Sequence, residues 1–257
     1  MKKIIKIDPD YDFLRQYIEQ IHLNFDSLGK VIQSNRNIIR EDETMGVRLV
    51  IKSYRRIYLT NRIRYTYLYP SKAQRAFDYA NKLIQSGFHS PRPIAYVEII
   101  TNGLISESYF ISEYTDFVAF KHITRLTIEQ RKQLLWDFTV FTHALHRSNI
   151  YHGDYSVGNI LFKKVHDKNQ FSLIDNNRMH FGTISLLKGI QCLVRLDLPL
   201  EDLAWIAKEY AKLRNEEEIV AVERLFHYKR KRYQKDKLKK LIRNFFSLGR
   251  TEPGNYA

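Results

Sequence analysis

Two acids and an amide define the chemistry this chain could perform. They are Asp154 and Asn159 in YHGDYSVGNILF (151–162) and Asp175 at the end of FSLID (171–175). Each stands at the edge of an apolar run, so folding would hold it at the rim of a packed core, fixed in geometry and open on one side. A carboxylate in such a place can accept the proton of an attacking hydroxyl, and an Asn with a second Asp supplies the hard oxygen ligands that Mg²⁺ prefers. The set suits phosphoryl transfer, which asks a protein for charge neutralisation and alignment more than for covalent chemistry. Lys52, at the end of VRLVIK (47–52), would bring positive charge to nucleotide phosphates. The expected roles are therefore base for Asp154, metal ligands for Asn159 and Asp175, and phosphate contact for Lys52. His152 belongs to the catalytic group as a loop brace rather than a proton carrier, because the neighbouring Asp already fills the base role.

These residues need elements to position them. VRLVIK, behind Gly46, reads as a buried strand ending in Lys52. SKAQRAFDYANKLIQSG (71–87) has a serine N-cap, apolar residues at helical spacing and a terminating glycine, and reads as a helix. PRPIAYVEII and LISESYFISEY flank Asn102-Gly103, the strongest short hairpin signal. Near Tyr114 to Phe120 strand-like alternation gives way to helical patterns. Thr127 and Gln130 make a capping box that opens a helix to about Arg147. After FSLID the pattern is helical over 200–213, 216–232 and 236–247. The expectation is an α+β chain in two lobes, a β-rich lobe with one main helix over 1–116 and a mostly helical lobe over 117–257.

Composition narrows the setting. A chain of 257 residues buries about 70–75% of its unfolded surface, enough for a stable core. One cysteine, a start too short in apolar residues for a signal peptide and no apolar run near about 18 residues point to a cytosolic protein. The formal charge of +14 favours anionic partners without choosing among them. Residues 227–246 carry nine Lys or Arg and one acid, with Leu238, Leu241, Ile242, Phe245 and Phe246 at helical spacing. This is a helix either docked on the core with a solvated basic face, or resting on an anionic membrane surface. No nucleic-acid-binding motif accompanies the charge.

The motif set resembles the protein-kinase-like fold. HGDYSVGN stands where that superfamily has a His, a base Asp and a metal-binding Asn, and IDNNR where it has the metal-binding Asp. The resemblance implies Lys52 as the phosphate-pairing lysine, 71–86 as the helix of the small lobe, and Glu113-Tyr114-Thr115 as the hinge holding adenine. HGD in place of HRD is shared by small-molecule kinases, including those acting on aminoglycosides and choline, which argues against a protein substrate. NRN (35–37), VIKSY (50–54), SKAQRAFDYANKL (71–83), SPRPIAYVE (90–98), HGDYSVGNILF (152–162) and LIDNNRMHFG (173–182) are together similar to the bacterial lipopolysaccharide core kinases, the Kdo kinase and WaaP group. That resemblance implies ATP and Mg²⁺ as cofactors and, as substrate, a Kdo or heptose hydroxyl on a lipid A precursor at the cytoplasmic face.

The chain departs from the kinase pattern twice. Gly29 is alone where a protein kinase has its glycine-rich loop, which moves the phosphate cradle to the turn at Asn35-Arg36-Asn37 or to another loop. The small-lobe helix offers one acid, Asp78, to pair with Lys52. Arg178 pairs with a loop carboxylate or contacts an acceptor phosphate. A kinase of another acceptor and a non-catalytic nucleotide-binding scaffold remain alternatives, and the oligomeric state is open.

Overall fold

Extended segments within the first 113 residues build a six-stranded antiparallel sheet. Its strands are β1 (Lys2–Ile7), β2 (Lys30–Ser34), β3 (Ile38–Thr44), β4 (Val47–Ser53), β5 (Pro93–Thr101) and β6 (Leu104–Glu113), in the order β1-β5-β6-β4-β3-β2. The computed structural model describes residues 1–34, 37–54, 57–166 and 168–248, the last six as backbone only. In β4, Leu49 and Ile51 are buried in a cluster with Ile18 and Ile21 of α1 (Arg15–Asn24), while Val50 and Lys52 turn to the other face. The alternation that hides the leucine therefore presents the lysine. β5 and β6 meet at Asn102-Gly103, whose φ values of 52° and 74° give the two left-handed residues of a tight hairpin.

Two further helices cover this sheet. α2 (Leu59–Tyr67) buries none of its side chains. α3 (Lys72–Gln85) buries Ala73, Ala76, Phe77, Ala80 and Leu83, three or four residues apart, and is capped by the Ser71 side chain, which accepts from the Gln74 N–H at 3.1 Å. The chain leaving α3 crosses to the second lobe, where the Leu173 N–H donates to the His89 carbonyl at 3.0 Å and the Ser90 hydroxyl to the Leu173 carbonyl at 2.9 Å.

The second lobe holds the larger core. α4 (Ile128–Arg147) opens with the reciprocal Thr127–Gln130 box. Its Phe138 stacks among Phe120 and Phe171 beneath a small sheet of β7 (Val118–Ala119), β9 (Ile160–Val165) and β10 (Lys168–Leu173). A second pair, β8 (Ile150–Tyr151) with β11 (His180–Phe181), brackets the loops that carry Asp154 and Asp175. α5 (Leu186–Leu193), α6 (Leu200–Leu213) and the start of α7 (Glu218–Leu248) complete the cluster, with Tyr210, Ala221 and Leu225 buried.

The structure departs from the sequence expectation in four places. α1 and α2 join α3 on the small lobe. β10 ends at Leu173, so Asp175 lies in a left-handed loop position (φ 60°, ψ 45°) rather than on the strand. α5 follows that loop. Finally, 216–232 and 236–247 are one helix, because no Pro or Gly interrupts 218–248. That helix leaves the protein body: residues 230–242 are all exposed, Leu238 and Leu241 at 57% and Ile242 at 47%, so this stretch does not dock on the core.

Candidate active site

The site forms where the sheet faces β9 and the loops around it. Between them lies a cavity of about 320 Å³. Val50, Lys52, Phe110 and Ser112 line it from the sheet, Glu113, Tyr114 and Thr115 from the connection between lobes, and Gly158, Asn159, Leu161, Ile174 and Asp175 from below. A broader open depression of about 940 Å³ between the end of α3, α4 and β10 holds none of the expected site residues, so its size carries no chemical argument.

Lys52 is 12% exposed and its Nζ lies 2.7 Å from Asp175 Oδ1. Burial alone would raise the Asp175 carboxyl; the charge and hydrogen bond of Lys52, helped by the charge of Arg178, more than offset it and hold the group below its ordinary value. Asn177 Nδ2 also donates to that Oδ1. Asn159 uses its Nδ2 to donate to the Asp154 carbonyl at 2.9 Å, which fixes the backbone at Asp154. Among the described residues, the recorded partners of Asp175 all meet Oδ1 and that of Asn159 meets Nδ2. The second carboxylate oxygen and the amide oxygen thus remain as hard donors in one cavity, a set that fits Mg²⁺ bridged to phosphates. No group of three His, Cys, Asp or Glu that could enclose a metal occurs among the described residues.

His152 is fully buried, and burial lowers its pKa. Its Nδ1 accepts from the Asp154 N–H at 3.3 Å and its Nε2 faces the Ile174 carbonyl at 2.9 Å. That pairing sets the neutral tautomer protonated at Nε2, since the carbonyl can only accept. The imidazole thus ties the Asp154 loop to the Asp175 loop, as a brace would. Asp154 itself stands beside the cavity rather than in it, its two oxygens accepting from Arg178 and Arg195, each at 3.2 Å.

One expectation needs correction and the others need placing. Asp78 does not reach Lys52: it lies 3.5 Å from Lys6 of β1, on the far face of α3, whose cleft-facing residue is Ala76. The register of one helix turn decides this. The Glu113 side chain turns away from the cavity and accepts from the Tyr11 hydroxyl, so the hinge segment offers backbone rather than carboxylate. Tyr114 is covered by the Arg48 guanidinium, 3.8 Å from its ring, and Thr115 follows at the cavity wall. Asn35 and Arg36 lie outside the described residues; their hairpin, β2 with β3, brings Ile32, Gln33 and Ile39 to the cavity. Gly29 sits at the opposite end of that hairpin against Glu41 and Asp42.

Sequence reasoning missed Arg195. It interrupts the apolar run Cys192–Leu196 with one charge, and only the fold, which brings the segment after α5 to Asp154, reveals its partner.

A small lobe of antiparallel sheet, a helical lobe, and a lysine and two acids meeting between them define the architecture of protein-kinase-like phosphotransferases. The model of the lipopolysaccharide kinase (Kdo/WaaP) family matches residues 29–184, more than half of the chain, and the chain belongs to that family. Among solved structures, one described as WaaP in complex with acyl carrier protein is 16% identical, with a TM-score of 0.62 over 91% of this chain and 99% of that one. A putative aminoglycoside phosphotransferase from Ralstonia eutropha JMP134 is 12% identical, with a TM-score of 0.52 over 87% of this chain and 86% of that one. At such identities the likeness is one of fold. No curated protein matches the chain by sequence.

Proposed function

We propose that the protein is an ATP- and Mg²⁺-dependent kinase of a sugar hydroxyl, Kdo or heptose, on the lipopolysaccharide inner core. The observation that carries this reading is the 2.7 Å pair of Lys52 and Asp175, drawn from opposite lobes into a cavity that Asn159 also lines, with Asp154 at its mouth. Lys52 holds the nucleotide phosphates, and adenine lies against the backbone of Glu113 to Thr115. Asn159 and Asp175 hold the metal, which neutralises phosphate charge when bound. Asp154 takes the proton of the acceptor hydroxyl as that oxygen bonds to the γ-phosphorus and the bond to the ADP oxygen breaks. Asp154 outside the nucleotide cavity, and Asp175 inside it, support this division of labour.

The acceptor's lipid end calls for a surface. No helix among the described residues is long and apolar enough to cross a membrane. The distal half of α7 extends beyond the core that anchors its first turns, with Leu238, Leu241 and Ile242 exposed among Lys and Arg. It would gain a partner by lying on the anionic inner face of the cytoplasmic membrane.

The test is Asp154→Asn. Phosphate incorporation from ATP into Kdo-lipid A should fall by about 10³-fold or more, because proton removal is lost, with the melting temperature near wild type. Undiminished transfer would remove Asp154 from the mechanism.

A further inference from the structure

Asp154 faces two guanidiniums, and the nucleotide reading uses neither. Arg178 donates to its Oδ2 and Arg195 to its Oδ1, both at 3.2 Å and each through one nitrogen only. Arg195 also hydrogen-bonds the Tyr151 hydroxyl, yet a guanidinium has five N–H donors, so each side chain keeps donors beyond these contacts. Among the described residues Asp154 is the only acid in ion-pair contact with either arginine; Asp175 also feels the charge of Arg178 but is itself paired with Lys52, so three cations meet two acids. Lys188 adds a further cation nearby, 5.2 Å above the ring of Tyr151. Arg178 and Arg195 are 51% and 38% exposed, against 12% for Lys52. The surplus charge therefore faces solvent on the acceptor side of the base, outside the cavity that suits a nucleotide.

Both arginines spring from fixed backbone. Arg195 lies between the buried Val194 and Leu196, and Lys229 of α7 donates to the Leu196 carbonyl at 3.0 Å. Arg178 closes the three-residue turn after Asp175, where the Met179 N–H donates to the Asn176 carbonyl at 3.0 Å. Guanidiniums held this way match the planar geometry of a carboxylate or phosphoryl group.

We propose that Arg178 and Arg195 form a subsite for an anionic group of the acceptor, a carboxylate or a phosphoryl ester close to the reacting hydroxyl, and that its arrival frees the base. This rests on the kinase reading above. With the subsite empty, both oxygens of Asp154 accept from arginine. An incoming anion competes for the guanidiniums and draws them off, leaving a carboxylate oxygen to take the hydroxyl proton. A neutral sugar can do neither. The pair therefore selects for charge in binding and couples it to catalysis.

The experiment compares wild type, Arg195→Ala and Arg195→Lys on four acceptors: Kdo, its methyl ester, Kdo-lipid A, and Kdo-lipid A stripped of its lipid phosphates. Wild type should prefer acceptors that keep the recognised anion. Arg195→Ala should raise KM for these by about 10- to 100-fold, the worth of a charge-assisted hydrogen bond, with Arg195→Lys intermediate, and should leave KM for the neutralised acceptor unchanged. A penalty on esterification marks the sugar carboxylate as the source of the anion, and a penalty on dephosphorylation marks the lipid; either supports the subsite. Equal KM increases on charged and neutralised acceptors would show a merely structural arginine and overturn the proposal. A wild-type enzyme that turns over other hydroxyl acceptors, but none of these four, would overturn the lipopolysaccharide reading, and indifference to charge among those other acceptors would overturn the subsite separately.

Discussion

Gly153 lies so close to Arg178 that a Cβ at position 153 would overlap the Arg178 carbonyl oxygen. The glycine also has φ +71°, a conformation that L side chains rarely adopt. The HGD sequence thus has a backbone reason for its middle residue: the Asp154 loop and the Arg178 turn must touch for the arginine to reach the aspartate. Gly153→Ala should cost about 2 kcal/mol from strain and overlap, a fall in melting temperature of about 4–8 °C for a chain of this size. Activity should drop further than stability at assay temperature, since the loop that moves carries Asp154, the proposed base. A melting temperature within a degree of wild type would show that the loops can separate without cost.

Lys52 sets the protonation of Asp175. Removing it as Lys52→Met leaves burial opposed only weakly, by Arg178 and the Asn177 hydrogen bond, and the carboxyl should titrate above the ordinary carboxylate value rather than below it. The sign of the pH dependence follows. In wild type the depressed folded pKa gives stability that is present above the unfolded value of about 3.9 and is lost as pH falls through the folded pKa. In the variant the raised folded pKa makes this group cost stability as pH climbs past about 3.9. Melting curves between pH 3 and 7 should therefore lose part of their rise with pH in Lys52→Met. Turnover should fall by about 10²- to 10³-fold with loss of the phosphate contact. Parallel stability curves for the two proteins would show that the pair is not formed in solution.

His152 bridges two loops in the neutral form. Because burial lowers its pKa, the unfolded chain binds a proton that the folded one rejects, so its contribution to stability is full above the unfolded value of about 6.5 and is lost as pH drops below it. His146, held down to about 3 by burial, acts in the same direction. His152→Ala should cost about 2–4 kcal/mol by leaving the Ile174 carbonyl and the Asp154 N–H unpartnered. It should also flatten the pH dependence of stability below about 6.5 by up to 1.4 kcal/mol per pH unit, one proton's worth. The acid limb of the pH–rate profile should keep its position, as expected of a brace. Loss of that limb would instead make the histidine a proton carrier.

What the sequence disclosed tracks how local the cause is. Ser71 before α3, the Thr127–Gln130 box before α4 and Asn102-Gly103 between β5 and β6 act within four residues, and each appears where the sequence places it. α2 was invisible because it has no side-chain cap and buries no residue, so LTNRIRYTY reads as a polar connection. The Asp78 assignment failed for a tertiary reason. Sequence spacing put an acid on the right helix, but rotation of α3 points Ala76 at the cavity and Asp78 at Lys6. Arg195 was hidden for the same kind of reason, its only cue being one charge inside an apolar run. Lys52, Asp154, Asn159 and Asp175 were legible because each ends or adjoins an apolar stretch, and a polar residue at such an edge is confined to the core's rim.

α7 can be tested apart from the chemistry. Its first turns are anchored through Ala221 and Leu225, whereas residues 230–242 are all exposed among the described residues, so changes there should leave the fold intact. The triple substitution Leu238→Ser, Leu241→Ser and Ile242→Ser removes apolar side chains that are about half exposed, and the melting temperature should stay within about 2 °C, as for surface changes. Binding to vesicles containing anionic lipid should weaken, because the helix loses the apolar face that would enter the headgroup boundary while keeping its Lys and Arg. Replacing Lys235, Lys237, Lys239 and Lys240 by Gln should weaken it independently, by about 1 kcal/mol for each charge near the surface, and more at low salt than at high. Neutral vesicles should bind wild type poorly. If the triple variant binds anionic vesicles as wild type does, the exposed stripe serves another partner, and the membrane is read by charge alone.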